Sequence, residues 1–182
     1  MKAKTYRNRG SKKRQAGDIE GAIKDLNKAI NLDPDDYLSY FNLGFCYQIK
    51  KNYKAAINSY NKAIELETFS TDTSIYNNLG CCFQELGELE EAKKKFTKAI
   101  WDSHQEDMDP LLYLNRAEVE ESLGNIERAK EDRKRASDEI KRKKYLPHWR
   151  NGFANIEDEN FEEAINDFNK VIEIDPCHDS AY

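Results

Sequence analysis

The chain lacks any run of about eighteen apolar residues, and such a run is what a transmembrane helix requires. Glycine and proline are also scarce, with 8 and 4 copies among 182 residues. An all-β fold needs more of both at its turns and is therefore disfavoured. No apolar segment follows the basic N-terminus, so the sequence predicts no secretory signal.

Motifs that carry chemistry are missing as well. The sequence has no Gly-rich phosphate loop, nucleophile elbow or paired-carboxylate motif. The three histidines lie far apart, and the four cysteines form no Cys-x-x-Cys pair. We therefore expect no catalytic site, no metal and no cofactor. The cysteines are interpreted as buried, reduced thiols, which favours a reducing, cytoplasmic location; association with the nucleus, the cytoskeleton or a cilium stays open.

What the sequence does contain is helical periodicity. Apolar and small side chains recur three and four residues apart over about 37–50 and again over about 53–66, which predicts two amphipathic helices. The two residues between them, Lys51 and Asn52, predict a tight connection. Gly44 and Ala56 are small enough to let the two helix backbones approach closely. Neither helix can bury its apolar face alone, so the hairpin needs neighbours.

This pattern occurs five times. The position of Gly44 recurs as Gly10, Gly80, Ala117 and Gly152, and that of Ala56 as Ala22, Ala92, Ala129 and Ala164. Both series step by the same increments of 34, 36, 37 and 35 residues. A fixed period of this size is typical of a solenoid built from stacked hairpins.

At these residues the chain resembles the tetratricopeptide repeat family. The second unit carries its pattern as Tyr40, Leu43-Gly44, Tyr47, Ala56, Tyr60 and Ala63, and the third as Tyr76, Leu79-Gly80, Phe83, Ala92, Phe96 and Ala99. The closing proline is present only as Pro34 and Pro176. The resemblance implies an all-α, right-handed superhelical solenoid of antiparallel helix pairs.

The repeats are expected as a single array spanning residues 1–182. Their predicted bounds are 3–36, 37–70, 73–106, 110–143 and 145–178, with the start of a sixth unit at 179–182. Unit four departs from the pattern, because Glu120 and Arg133 replace aromatic residues. Its second helix is expected over about 126–144, with a basic end that suits a helix C-terminus, and Pro147 is expected to end that helix.

The resemblance also implies where a partner would bind. In this family the first helices line a concave groove that holds a peptide or a helix of a partner protein, and an asparagine ladder could bond to a peptide backbone. A purely solubilising role for these asparagines remains an equal alternative. The groove residues implied here are Asn8, Phe41, Asn42, Phe45, Asn77, Asn78, Leu111, Asn115, Trp149 and Arg150.

Family members that grip the EEVD tails of heat-shock chaperones use a two-carboxylate clamp. The clamp positions starting at unit one are Arg7, Ser11, Asn42, Ser74 and Asn78. Only Asn42 matches, with Arg7 as a partial substitute. A cochaperone role is therefore disfavoured, and the expected function is a non-enzymatic scaffold that binds protein partners, within a larger assembly.

The first helix provides an alternative. Residues 1–14 hold seven basic and no acidic side chains, whereas the rest of the chain holds 22 basic and 34 acidic ones. Such a helix is either a solvated cap or a contact for a polyanion such as an acidic protein tail, a microtubule surface or a nucleic acid. No aromatic interleaving supports the nucleic acid. The candidate contacts are Lys2, Lys4, Arg7, Lys12, Lys13 and Arg14.

The last helix presents a second candidate surface. Its outward positions are apolar, and nothing in the sequence covers all of them. We expect this C-terminal packing face, formed by Ile165, Phe168 and Ile172, to be covered by a longer parent chain, an assembly partner or a second copy.

Overall fold

The computed structural model describes residues 2–67, 73–103 and 108–176, and these residues form nine α-helices and no strand. The predicted start of a sixth unit at 179–182 lies outside the described residues. The helices are α1 (Lys2–Gln15), α2 (Ile19–Leu32), α3 (Tyr37–Ile49), α4 (Tyr53–Leu66), α5 (Thr73–Glu85), α6 (Leu89–Asp102), α7 (Pro110–Ser122), α8 (Ile126–Glu157) and α9 (Phe161–Ile174).

The helices pack as a solenoid of hairpins, as the periodicity predicts. Each of α1, α3, α5 and α7 packs against the helix that follows it, and each of α2, α4 and α6 also packs against the first helix of the next hairpin. Each first helix contacts the next one along the array, α1 with α3, α3 with α5 and α5 with α7, whereas within the described ranges no two second helices contact each other to a comparable extent. The array therefore curves, with the first helices on its inner side.

Glycine on the first helix makes room for an aromatic ring on the second. A Cβ added at Gly44 would lie 2.7 Å from the Tyr60 ring, and one at Gly80 would lie 2.5 Å from the Phe96 ring. The sequence-based interpretation was therefore only partly right, because the close approach is to a side chain rather than to the partner backbone. Unit four, where Arg133 replaces the ring, has alanine in place of this glycine.

The junctions between the first four hairpins are apolar. Leu43 and Cys46 of α3 are buried against Ala22 and Leu26 of α2, and equivalent clusters join α4 to α5 and α6 to α7. Burial of an apolar side chain is worth roughly 1.5–3 kcal/mol, so these clusters supply the stabilisation that one hairpin alone lacks.

The prediction that Pro147 ends the fourth unit's second helix is wrong. Helix α8 runs unbroken through Pro147, so the second helix of hairpin four and the first helix of hairpin five are one element of 32 residues. The basic run at 141–144 consequently lies in the interior of a helix rather than at a C-terminus. A proline inside a helix costs about 3 kcal/mol, because it removes one backbone hydrogen bond and crowds the preceding turn. A chain that broke the helix at Pro147 and folded back would therefore have to gain less than this from packing its two halves together.

The side chains at the fourth junction show why. The α2 face that receives α3 consists of Ile19, Ile23, Leu26 and Ile30, but in α8 the equivalent positions are Ile126, Lys130, Arg133 and Ser137. On the other side of the junction, the places of Leu43, Cys46 and Tyr47 are taken by Asn151, Ala154 and Asn155. A chain that folded back at Pro147 would bury these polar groups without partners, so the continuous helix is favoured.

The fifth hairpin is consequently set apart from the other four. Helix α9 packs extensively only against α8. Its own small core contains the buried Ala164 and Val171, together with Trp149, Phe153 and Phe168, whose rings meet edge to face with centroids 5.0–5.7 Å apart. The described chain is thus four stacked hairpins extended by one long helix that carries a fifth.

Two hairpins replace an apolar core contact by an ion pair. Arg9 and Arg116 stand where units two and three have Leu43 and Leu79. Arg9 donates two hydrogen bonds of 2.6 Å to Asp25, and Arg116 donates bonds of 2.7 and 2.8 Å to its equivalent, Asp132. Both aspartates are almost fully buried. Removing Arg116 would leave the buried charge of Asp132 without its ion-pair partner, whereas removing Arg9 would leave Asp25 with Lys13 alone, at 3.1 Å.

The Asp25 pair predicts a specific pH dependence. The hydrogen bond from Arg9, and then that from Lys13, lower the pKa of Asp25 to about 2 despite its burial. Since the unfolded pKa is about 3.9, the stabilisation is present above pH 4 and is lost as the pH falls towards 2. We expect Asp25→Asn to lose less stability than wild type between pH 5 and pH 2 in urea titrations followed by circular dichroism. Equal losses in Asp25→Asn, wild type and the exposed control Asp35→Asn would contradict this.

Candidate functional site

The inner surface of the solenoid carries the predicted asparagines. Asn42 and Asn78 are half-buried on α3 and α5, and Asn8 is exposed on α1. The Asn42 amide donates to the Leu38 carbonyl at 2.7 Å, which leaves its side-chain oxygen as an acceptor. The side-chain amide of Asn78 makes no hydrogen bond within the described part of the chain. The surface therefore presents unused amide capacity on neighbouring helices.

Another pair of these amides is bonded across the units. Asn115 Nδ2 of α7 donates to Asn77 Oδ1 of α5 at 2.9 Å, and Gln84 donates to Glu118 at 3.3 Å. These bonds join two consecutive first helices side by side. They fix the distance between α5 and α7 on the inner surface. Leu111, which is 49% exposed, lies at the start of α7.

Aromatic side chains line the part of the groove formed by α1 and α3. The Arg14 guanidinium lies 4.5 Å from the centroid of the Phe45 ring, a distance that gives a cation–π attraction. Arg14 Nε is buried and has no hydrogen-bond partner among the residues that the structure describes. Phe41 is half-buried, with its ring centroid 5.9 Å from that of Tyr60, so it serves the hairpin core as well as the groove.

The structure does not bring the two predicted residues of unit five into this groove. Helix α7 runs antiparallel to the first half of α8, so its start lies near residue 138. Trp149 and Arg150 lie about 16 Å farther along α8, at 1.5 Å per residue. Trp149 packs in the core of the fifth hairpin, whereas Arg150 is exposed. The inner surface shared by neighbouring hairpins is therefore built by α1, α3, α5 and α7.

Half of the candidate polyanion contacts on α1 are engaged within the chain. Arg7 forms an ion pair of 2.5 Å with Asp36 and is only 18% exposed. Lys13 pairs with Asp25, and Arg14 lies on Phe45. Lys2, Lys4 and Lys12 are exposed. The pairing of Arg7 also removes the partial substitute that a chaperone-tail clamp would need.

The predicted C-terminal packing face is mixed in exposure. Ile165 is 61% exposed, and its neighbour Phe161 on the same face is 60% exposed. Ile172 is half-buried, and Phe168 turns inward against Trp149 and Phe153. Coverage of this face by another segment or partner stays a prediction.

The described cysteines carry free thiols. Burial raises the pKa of Cys46 to about 11 and that of Cys82 to about 12, so both are protonated and unreactive at neutral pH. Within residues 2–67, 73–103 and 108–176, no group of three or more side chains could hold a metal ion. None of the helices in those ranges combines the length and apolar character needed to cross a bilayer.

A cleft on the outer side of the array was not predicted from the sequence. It lies between α6 and the first half of α8, has a volume of about 770 Å³ and is bordered by Trp101, which is 85% exposed. A signal was present in the repeat alignment. The positions equivalent to Trp101 hold Asn31, Glu65, Asp138 and Glu173, so a tryptophan stands where the other units place a solvated polar group.

Stacked antiparallel helix pairs with a curved, amide-lined inner surface define the class of all-α repeat solenoids. Models of the tetratricopeptide repeat match residues 10–50, 35–100 and 152–177. The chain belongs to the tetratricopeptide repeat family.

Three relatives illustrate the likeness. Heat shock protein STI1 of Saccharomyces cerevisiae is 29% identical over 101 residues, which are 55% of this chain and 17% of that protein. The crystal structure of MamA has a TM-score of 0.63 and 26% identity, and the match covers 95% of this chain and 97% of that one. The first repeat domain of Spaghetti, bound to an HSP90 peptide, has a TM-score of 0.62 and 23% identity, over 68% and 94% of the two chains. The chain spans at most 40% of the curated relatives that it matches.

Proposed function

We propose that the protein is a scaffold that binds an extended peptide or a helix of a partner protein on the inner surface formed by α1, α3, α5 and α7. The observation that carries this proposal is the unused hydrogen-bonding capacity there. The Asn78 side-chain amide and the Asn42 side-chain oxygen lack partners in the described chain, and together they offer both donors and acceptors.

Backbone recognition explains why amides suit this surface. A peptide in extended form exposes alternating N–H and C=O groups, and an asparagine can satisfy one of each. Phe45 and Leu111 supply apolar contacts at either end of the row of amides. The partner is thus held mainly through its backbone, and its side chains add selectivity at the aromatic end.

The relatives are consistent with this proposal. The solved domain of Spaghetti is bound to a short peptide of HSP90. The present chain has the same fold but does not provide the two-carboxylate clamp for EEVD tails, because Arg7, its partial substitute at one clamp position, is held by Asp36. We therefore propose peptide binding of the same general kind with a different sequence preference, within a larger protein assembly.

The test is a quantitative comparison of captured partners. Full-length protein and the Asn42→Ala/Asn78→Ala variant are used as baits, and bound proteins are measured by mass spectrometry. We expect the groove variant to capture about tenfold less, or lower still, of a defined set of partner proteins. Each lost amide removes hydrogen bonds to the partner that are worth about 0.5–1.5 kcal/mol.

A matched variant controls for general effects. Asn58 and Asn61 are exposed asparagines on α4, on the outer side of the array. The Asn58→Ala/Asn61→Ala protein should retain the partners, and both variants should melt as wild type does. Retention of all partners by the groove variant would overturn the proposal.

A further inference from the structure

The outer cleft between α6 and α8 is separate from the inner groove, since both of its walls are second helices of their hairpins. Six of its eleven lining side chains are basic and three are acidic. Its volume of about 770 Å³ falls within the 300–1,000 Å³ that is usual for ligand sites. The cleft is therefore large enough for a short segment of another chain.

The acidic side chains in the cleft are mostly neutralised from within. Asp132 is bonded twice by Arg116, and the almost fully buried Glu120 accepts a hydrogen bond of 2.6 Å from Asn125. Glu131 pairs with Arg135 one turn along the same helix. The Asn125 amide does not cancel the charge of Glu120, so among the described lining residues this one acid remains against four basic side chains that pair with none of the acids of the cleft, namely Lys93, Lys94, Lys98 and Arg128.

Those cations are available to a ligand. Lys94 pairs with Glu91 of its own helix, and an exposed pair of this kind is worth about 0–1 kcal/mol. Lys98 pairs with Asp102, whose side chain is only 6% exposed, and its ammonium lies 5.7 Å from the centroid of the Tyr76 ring. Arg128 makes no ion pair within residues that the structure describes. A ligand carboxylate can therefore replace the Lys94 contact at little cost, bind Arg128, and join Asp102 at the half-exposed Lys98 without displacing it, in each case through a charge-assisted bond.

Trp101 adds an apolar anchor beside these cations. The Trp101 side chain is 85% exposed. Tryptophan is among the residue types most enriched at the positions that dominate the binding energy of protein interfaces. Its equivalents in the other units are polar, so the repeat fold itself does not require a tryptophan there.

We propose that this cleft is a second binding site, which takes an acidic peptide segment carrying an aromatic or large aliphatic side chain. The carboxylates would pair with Lys94, Lys98 and Arg128, and the apolar side chain would pack on Trp101. A peptide fits better than a single-stranded nucleic acid, because a nucleic-acid groove combines a continuous basic track with several rings for successive bases, whereas the described lining of this cleft mixes basic and acidic side chains and has Trp101 as its one aromatic residue.

The test uses fluorescence anisotropy of a fluorescein-labelled peptide of sequence EDFEDL with the full chain. The uncharged peptide QNFQNL and an oligonucleotide of ten thymidines serve as competing probes. We expect EDFEDL to saturate and QNFQNL to bind at least about tenfold more weakly. Trp101→Ala should lower the affinity for EDFEDL by about fivefold or more, and Lys94→Glu by about tenfold.

The chain provides a close control for Lys94→Glu. Lys130 lies outside the cleft but otherwise resembles Lys94. The two side chains are 65% and 66% exposed, and each pairs with a glutamate three residues before it in the sequence. Lys130→Glu should change the affinity less than about twofold. Absence of saturable EDFEDL binding, equal losses in the two lysine variants, or tighter binding of the oligonucleotide would overturn the proposal. The Asn42→Ala/Asn78→Ala variant should bind EDFEDL as wild type does, which separates this site from the inner groove.

Discussion

Ala56→Glu is expected to unfold the second and third hairpins. Ala56 is fully buried and lies in the cluster that contains Tyr60, Leu79 and Cys82 at the junction of α4 with α5. Glutamate there would extend the side chain by Cγ and a carboxylate group, and would place that carboxylate among apolar side chains. Overpacking alone costs about 1–3 kcal/mol, and an unpaired buried charge costs several more, which is comparable with the whole stability of a small domain.

Thermal melting by circular dichroism measures this effect. The matched control is Ala154→Glu, because Ala154 is also helical but exposed, and this variant should melt close to wild type. If Ala56→Glu melted as wild type does, Ala56 could not lie at the helix–helix contact, and the register of the repeats would be wrong.

The sequence was sufficient to predict the first three hairpins because several independent signals agree there. Gly44 and Tyr60 recur as Gly80 and Phe96, and the structure shows that the glycine exists to accommodate the ring. The helix ends were also predictable, since Gly17 and Gly87 adopt the positive φ values of 84° and 76° that favour glycine. Short-range periodicity and turn chemistry act within one hairpin and so are visible in one sequence.

The continuous helix α8 was not predictable from such local signals. Proline normally ends a helix, but whether a break is favourable depends on what the two halves would bury against each other. The polar side chains Lys130, Arg133 and Asn151 make a break unfavourable, because they would be buried between the two halves. This role can be recognised only when these positions are compared with the equivalent apolar positions at the packed junction of α2 and α3.

The outer cleft was not predicted for a similar reason, because its two walls are distant in sequence.

Phe168→Ala is expected to unfold the fifth hairpin while leaving the other four intact. The Phe168 ring covers Gly152 and meets the rings of Trp149 and Phe153, so it is central to a small core whose other buried members on α9 are Ala164 and Val171. Truncating a buried phenylalanine costs about 3–5 kcal/mol, and less for a half-buried one. A single helical hairpin has little stability to lose, so α9 should detach.

Tryptophan fluorescence separates this local event from global unfolding. The chain has two tryptophans, and Trp101→Phe removes the exposed one, so that Trp149 alone reports on the fifth hairpin. In this background, Phe168→Ala should shift the Trp149 emission to that of a solvated ring already at room temperature, whereas Ile165→Ala, at a position 61% exposed on the same helix, should not. The main thermal transition by circular dichroism should keep its midpoint, because α9 packs extensively only against α8 and polar residues fill the fourth junction. A lowered midpoint of that transition in Phe168→Ala would mean that the fifth hairpin is energetically coupled to the other four through α8.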